Sequence, residues 1–130
     1  MAPEDQPAPG GLPAPEADAH RERLEALRAS ALERLAALGR AFDDVVAAAA
    51  GSNADDEHDP EGATIGFERA QVAALSASAR RTVEAADAAL DRLRRGTYGR
   101  CEVCGRPIAE ARLRARPVAT TCVTCAAARG

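Results

Sequence analysis

Two stretches of the chain repeat apolar residues at the period of an α-helix. In the first, Leu24, Leu27, Ala31, Leu35, Leu38, Phe42, Val45 and Ala49 follow one another at steps of 3, 4, 4, 3, 4, 3 and 4. In the second, Val72, Leu75, Ala79, Val83, Ala86, Leu90 and Leu93 step by 3, 4, 4, 3, 4 and 3. Each series averages close to 3.6 residues and puts one apolar stripe on one helix face. Arg23, Glu33, Arg34 and Arg40 fall off the first stripe. The pattern predicts helices over residues 19–50 and 60–95, with Gly39 a weak point worth roughly 1 kcal/mol against Ala.

The segment between them, GSNADDEHDPEGAT, breaks the pattern. Gly51 supplies a C-terminal stop. Asp59, Pro60 and Glu61 form a start signal: a capping acceptor, a proline at the first helical position and an acid in the first turn. Two helices of matched period joined by a short polar loop predict an antiparallel hairpin over residues 19–95, with an acidic tip loop at 51–62. Small stripe residues (Ala31, Ala79, Ala86) permit close approach. No third helix remains to cover a wider face, so the hairpin reads as a coiled coil, a rod roughly 45–50 Å long at 1.5 Å per residue.

What flanks the hairpin differs at the two ends. Residues 1–18, rich in Pro, Ala, Gly and acids, hold one leucine and read as a disordered acidic tail. Gly96 stops the second helix after Arg92, Arg94 and Arg95, whose charge suits a helix C-terminus. Residues 96–130 are too poor in large apolar side chains to fold unaided. Tyr98, Ile108, Leu113 and Val118 are their candidates for burial.

That end holds all four cysteines, as Cys101-x2-Cys104-x17-Cys122-x2-Cys125. The spacing fits the zinc template of two CxxC pairs. Zn2+ takes four thiolates tetrahedrally at about 2.3 Å, and two intervening residues let one tight turn offer both sulfurs to one ion. Gly105, directly after Cys104, can take the positive φ of such a turn. The second pair is expected at the start of a short helix over 122–128. Disulfides and thioredoxin-like redox chemistry are the competing readings; the latter needs a βαβ context that is missing. Four thiolates leave no open position for a substrate water. The site is therefore expected to be one structural zinc, and the chain not an enzyme and without a small-molecule substrate.

Composition adds three points. The 130 residues are 46% hydrophobic but only 2% aromatic, so the core is expected to be thin. All 17 basic residues are Arg, which suggests coding bias before function. The charge is segregated: residues 51–64 carry Asp55, Asp56, Glu57, Asp59 and Glu61 and no base, whereas residues 97–130 carry six Arg against two acids. Neither a signal peptide nor an apolar run of about 18 residues is visible, so a cytoplasmic protein without membrane contact is expected. In that reducing compartment cysteines serve metals more often than disulfides. His20 and His58 read as surface and loop residues.

The finger segment also resembles a known family. Gly96, Thr97, Tyr98, Gly99, Cys101, Cys104, Gly105, Ile108, Arg112, Leu113, Ala115, Pro117, Cys122 and Cys125 match the C-terminal signature of the DksA/TraR zinc-finger proteins. The resemblance covers about a third of the chain residue by residue, and the predicted hairpin before it suits the family's layout. It implies a bacterial regulator that binds RNA polymerase rather than promoter DNA, with no sequence-specific DNA binding of its own. The coiled coil would enter the enzyme's secondary channel with acids at its tip, and the zinc domain would contact the channel rim. The family's archetypal tip reads D-x-x-D-R-A. Here Asp56-x-x-Asp59 keeps the acid spacing, but Pro60 stands where Arg would follow. Asp55, Asp56 and Asp59 are the candidate tip residues, with a solvated, capped turn as the alternative. Arg112 and Arg114 are candidate rim contacts, or a solvated face. A monomer is expected. A zinc-ribbon nucleic-acid module and a coiled-coil adaptor dimerising through its alanine-rich stripes are the other readings.

Overall fold

The computed structural model of the chain describes residues 14–51 and 60–129. Its elements are four helices: α1 (Ala14–Gly51), α2 (Pro60–Arg95), α3 (Glu110–Ala115) and α4 (Val123–Arg129). The fold is all-α, with α1 and α2 forming a long hairpin and a four-cysteine cluster following it. Among the described residues there is no strand, only an isolated antiparallel bridge between Arg100 and Pro107. No helix among them is long and apolar enough to cross a membrane.

Helix α1 begins at Ala14, five residues before the periodicity starts it, so residues 14–18 are helical rather than part of a tail. Local chemistry explains the extension. Pro15 lies in the first turn, where its missing N–H leaves nothing unsatisfied, and Glu16 there complements the helix dipole. These residues lack apolar periodicity, which is why a pattern of large side chains misses them.

Helix α2 ends as its sequence dictates. Gly96 takes φ 78°, and its N–H donates to Leu93 O at 3.3 Å. The Thr97 N–H reaches back to Arg92 O at 2.9 Å. This pair of bonds is a Schellman stop, which needs a residue that tolerates positive φ. It turns the chain sharply so that Tyr98 enters the core.

The chain forms two compact units: Met1–Arg28 with Glu84–Gly130, and Ala29–Val83. The first, the base unit, holds the larger core. Leu24, Ala89, Tyr98, Cys101, Ile108 and Leu113 are buried together, with Leu90, Leu93, Val118, Cys122 and Cys125 packed against them. The finger thus seals the start of α1 and the end of α2. An ion pair, Arg28 Nε to Asp87 Oδ1 at 2.6 Å, ties the two helices at the rim of this unit.

The second, distal unit holds, among the described residues, only parts of α1 and α2. Among its described residues Ala31 and Ala79 alone are buried. Leu35, Leu38, Phe42, Val45, Val72 and Val83 are half-buried along the seam. Leu75, placed on the stripe by its spacing, stays 50% exposed. Phe42 meets α2 through the Arg69 guanidinium, 5.7 Å from its ring centre.

Candidate metal centre

The finger is built from two turns that present sulfur. After Tyr98, the Ile108 N–H donates to Gly99 O at 2.7 Å, and the Cys101 N–H to Arg106 O at 2.9 Å. These bonds close a tight loop around Cys101 and Cys104. Within it the Gly105 N–H donates to Cys101 O at 2.9 Å, with Gly105 at φ 74°, a conformation that penalises any side chain. The second turn opens α4: the Ala126 N–H donates to Cys122 O at 2.9 Å, bringing Cys122 and Cys125 to one side. The Glu102 N–H donates to Thr120 O at 2.9 Å and locks the two turns face to face.

The result is a sulfur quartet. The Sγ atoms of Cys101, Cys104, Cys122 and Cys125 all lie within 4.8 Å of one another. Cys104 and Cys122 are 3.8 Å apart. A regular tetrahedron with Zn–S bonds of about 2.3 Å has edges of about 3.8 Å, so this pair already has the spacing of a zinc site. The four cysteines are free thiols, not disulfides.

The thiols themselves favour a cation. The Cys104 backbone N–H aimed at the Cys101 sulfur brings its pKa from 9.0 down to about 6. The Cys125 N–H, 3.5 Å from the Cys122 sulfur, lowers that thiol in the same way. Cys125 instead is pushed up to about 12, chiefly because it bonds through its proton to the Cys122 sulfur. Such sulfurs cannot all ionise against each other's charge, and a dication in their midst removes that conflict. One structural zinc fits both the geometry and the donors. Four protein ligands complete its tetrahedron.

The finger is fastened to the hairpin base by a polar cluster around His20. His20, expected on the surface, is fully buried. Its ring lies 5.0 Å from that of Tyr98, tilted by 53°. Its Nε2 sits 3.2 Å from Glu110 Oε1, and its Nδ1 2.7 Å from the Arg23 guanidinium. The start of α1 packs under the finger through His20, Arg23 and Leu24, a helix face that would otherwise meet water. Tyr98 is buried too, and its hydroxyl donates to Pro117 O at 2.8 Å. Burial raises its pKa above 10.0. The only forewarning is spacing: His20 precedes Leu24 by four residues and so continues its stripe.

The remaining candidate residues fare differently. Arg112 is half-buried, and its Nε donates to Thr121 O at 2.8 Å, bracing the turn before Cys122. Arg114 is exposed, with Nε 3.6 Å from Glu110 Oε1. Asp55, Asp56 and Asp59 lie outside the described residues.

A helical hairpin closed at its base by a four-thiolate zinc finger is the class of protein these observations define. Residues 96–129 match the family model of the prokaryotic dksA/traR C4-type zinc finger. Among solved structures, that of the transcription factor DksA2 from Pseudomonas aeruginosa is similar over 96% of this chain and 91% of its own, with a TM-score of 0.78 and 25% identity. No curated protein matches the chain by sequence.

Proposed function

We propose that the protein is a bacterial transcription regulator that acts by binding RNA polymerase directly. In this reading the hairpin enters the enzyme's secondary channel and modulates initiation. The observation that carries it is a coincidence of two likenesses. The finger matches the DksA/TraR-type model, and the hairpin and finger together resemble a transcription factor over nearly the whole chain. A likeness confined to the finger would suit many zinc ribbons.

The physical chemistry agrees. The finger's four ligands close the metal, so the zinc holds shape and performs no reaction. The segment between α1 and α2 carries Asp55, Asp56, Glu57 and Asp59, and Glu61 follows in the first turn of α2. Carboxylates delivered near a polymerase's catalytic Mg2+ and its basic surroundings would shift the local field. The exposed Arg114, and Arg112 beside it, are the proposed rim contacts. The protein acts as a cytoplasmic monomer, without catalysis or sequence-specific DNA binding of its own.

The test is direct. The purified zinc-loaded protein is expected to co-migrate with bacterial RNA polymerase core and to change transcription from a ribosomal-type promoter. No association at micromolar concentration refutes the proposal. If association holds, Asp56→Asn with Asp59→Asn should abolish regulation and keep binding. Unchanged regulation would reduce the acidic loop to a solvated turn. Steep salt-dependent affinity for DNA in the absence of polymerase would favour a nucleic-acid module instead.

A further inference from the structure

We propose that the distal unit, Ala29–Val83, opens as a cooperative unit of its own, at a far lower free energy than the base unit. The closed hairpin there is then a state that docking completes rather than one its own packing secures.

In the base, Leu24, Tyr98, Ile108 and Leu113 are sealed from water and a metal cross-links the finger. In the distal unit the buried residues among those described are Ala31 and Ala79, which remove little apolar surface. Large side chains there remain open: Phe67 is 71% exposed, Leu75 50%, Leu32 and Val46 40% each. A helix pair without a third layer buries only the line of residues between its axes.

The seam itself is underfilled. A groove of about 360 Å³ lies among Leu35, Leu38, Phe42 and Val72. Gly39 lines it, and a Cβ placed on Gly39 would meet nothing within 4 Å. Gly66 on α2 is equally unhindered. Neither glycine is there to allow a close approach, so each only weakens its helix. The cross-helix ion pair Arg28–Asp87 belongs to the base unit. Few buried apolar contacts and many solvent-facing helical hydrogen bonds are the physical marks of a segment that opens first.

Such a design has a use. A ligand that binds only the closed hairpin stabilises it by mass action, so the distal unit's order reports occupancy. That consequence rests on the polymerase reading above; the opening itself does not.

Amide hydrogen exchange on the free, zinc-loaded protein tests the opening. Amides of residues 29–51 and 60–83 are expected to exchange at least about a hundredfold faster than those of 84–95. Gly39→Ala with Gly66→Ala should slow the distal amides by about fivefold per site, roughly twenty-five-fold together, and leave residues 84–95 unchanged. Equal exchange along both helices would overturn the proposal, as would a double variant that slows base and distal amides alike. Adding polymerase core separates the two readings. Distal amides that slow support both. A free-protein gradient that polymerase leaves untouched keeps the independent opening and removes the docking partner.

Discussion

Leu24→Ala compared with Leu75→Ala tests the division of labour along the hairpin. Both leucines sit on the apolar stripes, and the spacing treats them alike. Leu24 is fully buried in the base core with Tyr98, Leu113 and Ile108. Truncating it removes the transfer energy of the lost atoms and leaves a cavity between helix and finger. Buried Leu→Ala changes cost about 2.7–5 kcal/mol. Leu75 is half exposed beside an open groove that includes Leu38 and Ala79. A fully buried leucine side chain is worth about 1.5–3 kcal/mol, so Leu75 has about half of that to lose. No closed cavity forms, and alanine's better helix propensity returns a few tenths. The net cost is about 0.5–1 kcal/mol. The chain has one tyrosine and no tryptophan, so intrinsic fluorescence during urea unfolding follows Tyr98 and the base unit alone. With a denaturant slope of about 2 kcal/mol per molar, Leu24→Ala should move the midpoint down by about 1.5–2.5 M. Leu75→Ala should hardly move it. A shift below about 0.5 M for Leu24→Ala, or equal shifts for the two variants, would refute the reasoning.

Other outcomes follow from the finger. Metal analysis should find one zinc per chain, and Cys122→Ser or a strong chelator should abolish that stoichiometry with loss of the Tyr98 fluorescence transition. Acid should do the same, because protons compete with zinc for the thiolates, so metal affinity falls as pH falls. Tyr98→Phe removes the 2.8 Å bond to Pro117 O and should cost about 1 kcal/mol in urea unfolding followed by circular dichroism, since the variant lacks the fluorophore, with zinc retained. Titrating the single tyrosine by phenolate absorbance should give a pKa above 10.0 in the folded protein and a value nearer 10.0 in urea. The folded state then holds the phenolic proton more tightly. Its stability is intact below the unfolded pKa and declines as pH rises through the folded one. Replacing Arg28 and Asp87 together by alanine should change stability by under about 1 kcal/mol, because that pair is exposed and screened by salt.

Much of the finger was legible from local chemistry. Ligand number, ligand type and the two-residue gaps specify a closed zinc site, and they do so within short turns that the sequence itself encodes. Tyr98, Ile108 and Leu113 were identifiable as its core because so few large apolar residues compete for that place. Val118 is packed against it but only partly buried. The hairpin was legible because its stripes keep one period over many turns. Arg112 shows where that stops. Its Nε braces Thr121 O, a carbonyl nine residues on that no pattern of charges points to.

His20 and Leu75 mark the boundary between what the sequence decided and what the tertiary structure decided. The sequence determined the angular position of each on its helix, since 3.6 residues per turn fixes that locally. It also determined the metal, through four soft ligands at the right gaps. It could not determine depth, because depth depends on what lies across from each face. At the base, the finger returns over α1 and buries a histidine among Arg23, Glu110 and Tyr98. In the distal unit two helices share a single seam, and a stripe leucine stays half in water. The same periodicity therefore yields a sealed core in one unit and a shallow one in the other. The difference is the layer that only the folded chain brings into place.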